Sequence, residues 1–281
     1  MKILGIDLGG TNVRVGLVEN DKLVSVESKP IKSAGSEAEV LNDIYDLIEK
    51  FTHNDIAGIG VGVPSVLDPV KGIVYDVQNI PAWKEVHLKD LLQKKFNIPV
   101  YINNDANCFA AGEKFFGKGK NFNNIVGLIM GTGFGAGLII NGKLYSGANC
   151  GAGEFGMIPY KDSILEDYCC GQFFQKQYST SGKDISRFAE DGNTDALNIF
   201  SEFGYHVGEG IKLILYSVDP EIIILGGSVS KSFKFFERAM WKSIEGFAYT
   251  KTKENIKIVV SETENIAILG AAALYLDAGK E

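Results

Sequence analysis

The chain has few of the residues that build metal centres and disulfide frameworks: four cysteines and three histidines among 281 positions. Cys108, Cys150, Cys169 and Cys170 show no zinc spacing, and the adjacent pair Cys169-Cys170 suits neither a C-x-x-C metal site nor an ordinary disulfide. His53, His87 and His206 stand apart from one another and read as surface or packing residues. These shortages point to a reducing, cytoplasmic setting. A long apolar run is also missing, since nothing approaches the roughly 20 residues of a membrane span. The first residues open directly on a strand rather than on a signal peptide. A basic block is absent too. Lysine and arginine are scattered and the formal net charge is −7, which argues against nucleic acid as a main partner. What remains is ordinary globular composition, 45% hydrophobic and 22% charged, with length near twice that of a typical domain and no low-complexity linker.

What the chain does have is a stretch that occurs twice. Gly10 to Ser25 reads GTNVRVGLVENDKLVS, and 121 positions later Gly131 to Ser146 reads GTGFGAGLIINGKLYS, with eight of sixteen positions identical and no gap. An apolar run precedes each copy, Ile3 to Leu8 and Ile125 to Met130. Each reads as strand, Gly-Thr turn, strand, Asn turn, strand, so the repeat implies two similar sheet-based lobes. Glycines at such a turn permit positive φ and close approach of a ligand. Successive backbone N–H groups there form a nest for anions, and the threonine hydroxyl adds a donor. Two such turns facing each other would hold a polyphosphate from both sides. A simple hairpin accounts for Asn141-Gly142 and Asn20-Asp21, but not for the matched Gly-Thr at the other end. The copies differ at one telling place: Asp7 ends the first strand where Leu128 stands in the second. A carboxylate beside a phosphate turn calls for a cation between them, so Asp7 is a candidate to orient Mg²⁺ through water.

Along the rest of the chain strands and helices alternate. Helices are predicted over 37–51, 88–96, 106–116, 166–178, 194–217, 234–247 and 266–277, and strands over 57–63, 99–103, 222–225 and 256–260. An irregular stretch is predicted over 147–162, and a boundary between lobes near Asn103–Asp105.

That order, with those turns, resembles the sugar kinases of the ROK family within the actin-like, hexokinase-like ATPase superfamily. The motifs that carry the resemblance are GIDLGGTNVRVGLV at 5–18, PAWKEVHLKDLLQKKFNIPVYINNDANCFAAGE at 81–113, MGTGFGAGLIINGKLYSGANCGAGEFG at 130–156, IIILGGSVS at 222–230 and NIAILGAAAL at 265–274. The resemblance implies an α/β chain with two lobes of actin-like (ribonuclease-H-like) fold and an active-site cleft between them. The smaller lobe would be 1–104 plus 266–281, and the larger 105–265.

The resemblance also implies roles. Asp105 would be the general base that takes a proton from a hexose hydroxyl as it attacks the γ-phosphate of ATP, a reaction that asks chiefly for positioning and charge neutralisation. Asn79, Asn104, Asp105, Glu154 and Glu166 would contact the sugar. Gly9, Gly10, Thr11 and Asn12 in the first turn and Gly131, Thr132 and Gly133 in the second would hold phosphates, with Asp7 on the Mg²⁺ side and Gly226-Gly227 near adenosine. Residue chemistry alone offers Asn104-Asp105 a second use, capping the helix that follows, and offers the two glutamates ordinary exposure.

Departures from the family pattern narrow the expectation. Met157 stands where the family places a histidine, and MIPYKDSI at 157–164 is too short for the family's cysteine cluster, so structural zinc is not expected. Pro64-Ser65 replaces the usual Pro-Gly. Glucose or a related hexose is the expected substrate, with the 6-hydroxyl as the acceptor that the resemblance implies, and an N-acetylhexosamine (N-acetylglucosamine or N-acetylmannosamine), fructose or a substituted glycoside as alternatives. A sugar-binding sensor without activity is the alternative of another class. Repressors of the family carry an extra N-terminal DNA-binding segment, for which strand one, starting at Ile3, leaves no room. Another phosphotransferase of the superfamily, such as an acid kinase, is a further alternative, and the presence of Asp7 and Asp105 favours activity over a degenerate non-enzyme. A nicotinamide dehydrogenase is disfavoured: Gly131 to Ala136 matches G-x-G-x-x-A, but that fingerprint needs a helix next, and GLIINGKLYS reads as a hairpin. The expected partners are a small sugar and ATP, with neither nucleic acid nor membrane, and a symmetric homodimer stays open.

Overall fold

A computed structural model describes residues 1–53, 55–77 and 79–279, so residues 280 and 281 of the expected smaller lobe lie outside the described residues. Two compact units form. The first comprises Met1–Asn121, Gly137–Ala152 and the chain from Glu262 onward; the second comprises Phe122–Ala136 and Gly153–Ser261. No described helix is long and apolar enough to cross a membrane.

The first unit is built on strands β1 (Lys2–Leu8), β2 (Asn12–Glu19) and β3 (Lys22–Pro30), then helix α1 (Glu37–Glu49) and strand β4 (Ile56–Val63). Three short strands follow, β5 (Val66–Asp68), β6 (Ile73–Tyr75) and β7 (Glu85–Val86), then α2 (Leu88–Phe96), β8 (Val100–Asn104) and α3 (Asp105–Phe115). The main sheet has the order β3-β2-β1-β4-β8. β1, β2 and β3 form the antiparallel meander expected from the repeat, and β1, β4 and β8 run parallel. Helix α1 begins where Ser36 and Glu39 form a reciprocal capping box, and it buries Val40, Leu41, Ile44, Leu47 and Ile48.

The second five-stranded sheet has the order β11-β10-β9-β14-β15. Its strands are β9 (Ile125–Met130), β10 (Phe134–Ile140), β11 (Lys143–Tyr145), β14 (Ile222–Gly226) and β15 (Lys257–Val260). The chain passes from the second unit to the first within β10. β14 pairs in parallel with both β9 and β15. Between β11 and β14 lie a one-turn 3₁₀ helix (Phe155–Met157), a small hairpin of β12 (Pro159–Tyr160) and β13 (Ser163–Ile164), and helices α4 (Leu165–Cys169), α5 (Gln172–Tyr178), α6 (Gly182–Glu190) and α7 (Thr194–Val218). Helices α8 (Phe233–Ile244) and α9 (Thr250–Asn255) precede β15, and α10 (Ile266–Ala278) ends the described fold. The core of the second unit's helices is aromatic: Phe173, Phe174, Phe200, Phe203 and Phe236 are all fully buried.

Helix α10 explains the run of small residues near the end of the chain. A Cβ on Gly5 would lie 2.0 Å from the carbonyl oxygen of Ile268, and one on Gly60 1.7 Å from that of Ala271. On its other face, a Cβ on Gly270 would lie 2.0 Å from the Cys108 carbonyl of α3. Glycine and alanine let this helix lie directly on β1, β4 and α3, with Ile268, Leu269 and Leu274 buried beside it.

Two expectations need correction. The helix predicted over 166–178 is broken at Cys170, whose backbone is extended (φ −134°, ψ −171°), because this corner is spent on hydrogen bonds to the Gly131–Thr132 turn. The stretch predicted as irregular over 147–162 contains the 3₁₀ turn and the first strand of the β12–β13 hairpin. Tyr160 of that hairpin is docked by its hydroxyl, 2.9 Å from Nδ1 of the buried His206.

Candidate functional site

In the first unit, functional candidates gather at the carboxyl ends of the three parallel strands, the usual ligand-binding edge of an open α/β sheet. Asp7 pairs with Gly62 across β1 and β4, and Gly62 with Asn103 across β4 and β8. The chain after Asp7 closes the first Gly-Thr turn: the Gly9 N–H donates to the Asn12 carbonyl (2.9 Å), and the Ile31 N–H to the Thr11 carbonyl (3.0 Å). The N–H groups of Gly10 and Thr11 have no protein acceptor among the described residues. Neither Gly9 nor Gly10 has positive φ, so of the two expected uses of glycine the first does not apply there. The requirement at Gly10 is close approach, since a Cβ would lie 2.5 Å from Cβ of Asn79. Asn79, expected at the sugar, lies against the first Gly-Thr turn.

The cation beside Asp7 is a protein group. Arg14, on the next strand, donates from Nε (3.0 Å) and from a terminal guanidinium nitrogen (2.6 Å) to Oδ2 of Asp7. Oδ1 keeps no partner among the described residues, and Asp7 remains partly open to solvent. The carboxylate can thus serve a hydrated divalent ion as well as the arginine, which fits the oxygen-rich, water-retaining coordination of Mg²⁺. The described residues hold no cluster of three or more His, Cys, Asp or Glu side chains arranged for a metal.

Asn104 and Asp105 sit where β8 becomes α3. Asn104 caps the helix, its Oδ1 accepting the Asn107 N–H (2.8 Å), which leaves its Nδ2 to donate outward. Asp105 is the first helical residue and accepts its own neighbour's N–H, that of Ala106 (2.9 Å). Although Asp105 keeps solvent-exposed surface, the density of protein around it and the Asp7 charge together raise its carboxyl above the ordinary aspartate range, against the lowering effect of the Ala106 hydrogen bond.

Behind this corner lies a polar network that the sequence reading missed. Asn103 donates from Nδ2 to Oγ of Ser146 (2.9 Å), while its Oδ1 accepts from the Asn104 N–H (2.9 Å), Nδ2 of Asn107 (2.8 Å) and the Cys150 thiol (3.2 Å). Asn107 is fully buried and its Oδ1 has no partner among the described residues. A polar residue on the buried side of α3, four positions from Asn103, was the only signal available in the sequence.

In the second unit the other Gly-Thr turn leaves β9. The Gly131 N–H donates to the Gly133 carbonyl (3.0 Å), and the N–H groups of Thr132 and Gly133 lack protein acceptors among the described residues. The corner between α4 and α5 holds the turn from behind. The Gly171 N–H donates to the Gly131 carbonyl (2.8 Å), and the Thr132 carbonyl accepts from the Cys170 thiol (3.0 Å) and from Nε2 of Gln172 (3.2 Å). Burial pushes the Cys170 thiol up to about 12, so it acts as a donor and not as a thiolate. Glu166 accepts the Phe134 N–H through Oε2 (2.9 Å) and Nε2 of Gln172 through Oε1 (3.3 Å). This carboxylate, expected at the sugar, is engaged beside the second Gly-Thr turn, and a Cβ on Gly133 would lie 2.7 Å from its Oε2.

Gly226 ends β14 and Gly227 follows it beside the same turn. Gly227 has φ +85°, and a Cβ there would lie 2.3 Å from the Met130 carbonyl that precedes Gly131. Glu154 precedes the 3₁₀ turn and is exposed. Gly156 brings that turn against Glu166, a Cβ there lying 3.4 Å from Cβ of Glu166. Met157 follows, an apolar side chain left 54% exposed.

Comparison with known proteins adds four findings. The profile describing the ROK family matches residues 3–278. A glucokinase of Thermotoga maritima is 27% identical, covering 98% of this chain and 97% of its own length, and a xylose repressor of Bacillus subtilis is 28% identical, covering 98% of this chain and 77% of its own. In three dimensions, a ROK family glucokinase from Streptomyces griseus, solved in complex with glucose and AMPPNP, superposes with a TM-score of 0.78 at 24% identity over 98% of this chain and 99% of that one. That likeness is one of fold, the actin-like α/β architecture.

Proposed function

The chain belongs to the ROK family, and on that premise we propose that it is an ATP-dependent kinase that transfers the γ-phosphoryl group to a hydroxyl of a hexose, with Asp105 as general base. The observation that carries this reading is the first unit's strand edge, where Asp7, Asn104 and Asp105 stand beside a Gly-Thr turn with two N–H groups free for phosphate oxygens. The second unit repeats the turn and adds Glu154, Glu166 and the Gly226-Gly227 bend. Glucose or a related hexose, taken at its 6-hydroxyl, is the first substrate to test, and the cytoplasm is the proposed location.

In this reading Asn104 donates from Nδ2 to a sugar hydroxyl and Asn79 and Glu154 add further contacts. Asp105, its carboxyl raised in affinity for protons, accepts the proton of the attacking hydroxyl. Backbone N–H groups of Gly10, Thr11, Thr132 and Gly133 neutralise phosphate oxygens by hydrogen bonds fixed before the reaction. A divalent cation held through Oδ1 of Asp7 would add charge neutralisation on the phosphates, while Arg14 keeps that carboxylate oriented.

The test is ADP release across glucose, mannose, fructose, N-acetylglucosamine, N-acetylmannosamine and a β-glucoside, with Asp105→Ala as control. Turnover on one sugar, reduced in the control by about 10²–10⁴-fold as expected for loss of a general base, supports the reading. A second reading, a sugar-responsive regulator, is favoured by the likeness to a xylose repressor. Sugar binding by calorimetry without turnover on any substrate would select it.

A further inference from the structure

Of the three histidines only His206, on α7, is buried. Both of its ring nitrogens meet the β12–β13 hairpin: Nδ1 lies 2.9 Å from the Tyr160 hydroxyl and Nε2 lies 3.3 Å from the Lys161 ammonium. Oε1 of Glu202, one helical turn earlier, stands 3.6 Å from the same Nε2, while its Oε2 is held by the Tyr178 hydroxyl at 2.6 Å. An ammonium group only donates. Nε2 therefore offers Lys161 its lone pair, and the neutral ring carries its proton on Nδ1, toward the Tyr160 oxygen. A carboxylate only accepts, so Glu202 gains a hydrogen bond from Nε2 only when that nitrogen is protonated. Two neighbours of opposite charge thus ask opposite protonation states of one atom. The remaining faces of the ring meet Tyr168 of α4 at 5.0 Å, Tyr205 of α7 at 5.5 Å and Phe173 of α5 at 5.8 Å. The Cys169 thiol donates to the His206 carbonyl (3.3 Å), and Glu209 adds a weaker negative charge. Burial first, and the Lys161 charge next, lower the proton affinity of the ring below that of an ordinary imidazole, against the pull of Glu202.

The hairpin that His206 grips is short and strained. Lys161 begins the two-residue turn between Tyr160 and Ser163 with φ +52°, a left-handed conformation uncommon for lysine. Such a backbone persists only where its surroundings hold it. Here the holds are Nε2 of His206 and the Tyr168 ring, whose centroid lies 5.1 Å from the Lys161 ammonium. From this tip a run of hydrogen bonds leads back to Glu154. The Leu165 N–H donates to the Ile158 carbonyl (3.0 Å), the Ile158 N–H to the Phe155 carbonyl (3.1 Å) and the Met157 N–H to the Glu154 carbonyl (3.2 Å). The 3₁₀ turn that follows Glu154 is therefore fixed at one end by the start of α4 and continues at the other into the hairpin that docks on α7.

We propose that His206 is a positioning residue for Glu154: neutral, it grips Tyr160 and Lys161 and so fixes the turn that Glu154 precedes; protonated at Nε2, it engages Glu202 and releases the hairpin tip. The proposal rests on the kinase reading above for what Glu154 touches. Sugar affinity then falls on acidification, whereas nucleotide affinity does not, because the corner between α4 and α5 holds the second Gly-Thr turn independently of the hairpin tip. The direction follows from linkage. The unfolded ring titrates at the ordinary value of about 6.5, and the folded ring below it. The grip is complete above that value and weakens as pH falls through it toward the folded value, since the unfolded or released ring takes the proton first.

The experiment has a spectroscopic arm and a kinetic arm. Nitrogen-15 NMR of the histidine-labelled chain follows the ring, with His206 assigned by the signals lost in His206→Gln. At pH 7.5 the proton is expected on Nδ1. Lys161→Met is expected to raise the pH at which the ring titrates, and Glu202→Gln to lower it. A proton on Nε2 at pH 7.5, or a midpoint that Lys161→Met leaves unmoved, overturns the proposal. The kinetic arm uses the sugar of the panel above that is turned over best. Its KM in the parent is expected to rise about three- to tenfold between pH 7.5 and pH 5.5, the scale of one lost hydrogen bond, with KM for ATP nearly constant. Lys161→Met is expected to show the raised sugar KM already at pH 7.5 with no further rise in acid, and Lys161→Arg, which keeps a donor, to restore the parent profile. A change in kcat alone would belong to Asp105, and equal rises in both KM values would mark the hairpin as structural only; either result overturns the proposal. If the spectroscopic arm holds and no sugar is phosphorylated, the kinase reading fails and the grip of His206 on the hairpin stands.

Discussion

At the scale of single residues, Asp105 carries opposite consequences for activity and for stability. Its carboxyl is raised above the ordinary aspartate value of about 3.9, so in the window between that value and the raised one the folded chain binds a proton that the unfolded chain releases. Stability therefore falls as pH rises through this window, and above it the cost of keeping the charge stays constant. Asp105→Asn removes that cost while keeping an oxygen for the Ala106 N–H. The variant is expected to melt above the parent at neutral pH, the gap closing as pH falls below about 4, while turnover drops about 10²–10⁴-fold. Melting curves from pH 3 to 8 check it; a variant that melts below the parent at pH 7 would show that the carboxylate stabilises the fold and that its raised proton affinity is misread. Asp7 shows why such roles are hard to assign from sequence. The need for a cation beside it was legible from the turn, but the cation closest to it, Arg14, reads in sequence only as one more charged residue on an amphipathic strand.

At the scale of elements, the corner between α4 and α5 sends three donors to the carbonyls of Gly131 and Thr132, while Glu166 receives the Phe134 N–H. Glu166 thus braces the residue that follows the turn. Glu166→Ala leaves the Phe134 N–H without its acceptor, a loss of about 1–3 kcal/mol where the group is buried. It is expected to raise KM for the nucleotide about tenfold or more with KM for the sugar nearly unchanged, since about 1.4 kcal/mol corresponds to tenfold. Steady-state kinetics with both substrates varied decide the matter: a rise confined to the sugar KM would return Glu166 to the direct sugar contact implied by the family resemblance. This corner also marks the limit of reading structure from the sequence. The repeat disclosed both Gly-Thr turns and both meanders, because glycine, threonine and β-branched runs act locally. The break at Cys170 could not be read, since 166–178 has helical spacing and its interruption is caused by carbonyls some forty positions earlier. The β5–β6–β7 strands were invisible for a related reason: two or three residues leave no periodicity. Asn107 was legible only as a polar residue on a buried face, and its partners Ser146 and Cys150 are distant in sequence.

At the scale of the whole molecule, the chain enters and leaves each unit more than once, with changes after Asn121, Ala136, Ala152 and Ser261. Neither unit is a continuous segment, so neither can complete its core until distant parts of the chain arrive. The last of these is α10, which lies on Gly5 and Gly60 at van der Waals limits and buries Ile268, Leu269 and Leu274. Burying each such side chain contributes about 1.5–3 kcal/mol, and the three together approach the whole stability of a typical domain, about 5–15 kcal/mol. Without α10 the glycine faces of β1 and β4 have no side chains of their own to cover them. Removal of the chain from Glu262 onward is therefore expected to abolish the cooperative melt of the first unit and to lose near-ultraviolet dichroism while leaving much of the far-ultraviolet signal, the signature of secondary structure without fixed packing. A truncated chain that still melts cooperatively within a few degrees of the parent would show that the first unit closes without its last helix, and that the run of small residues at 270–273 serves something other than this contact.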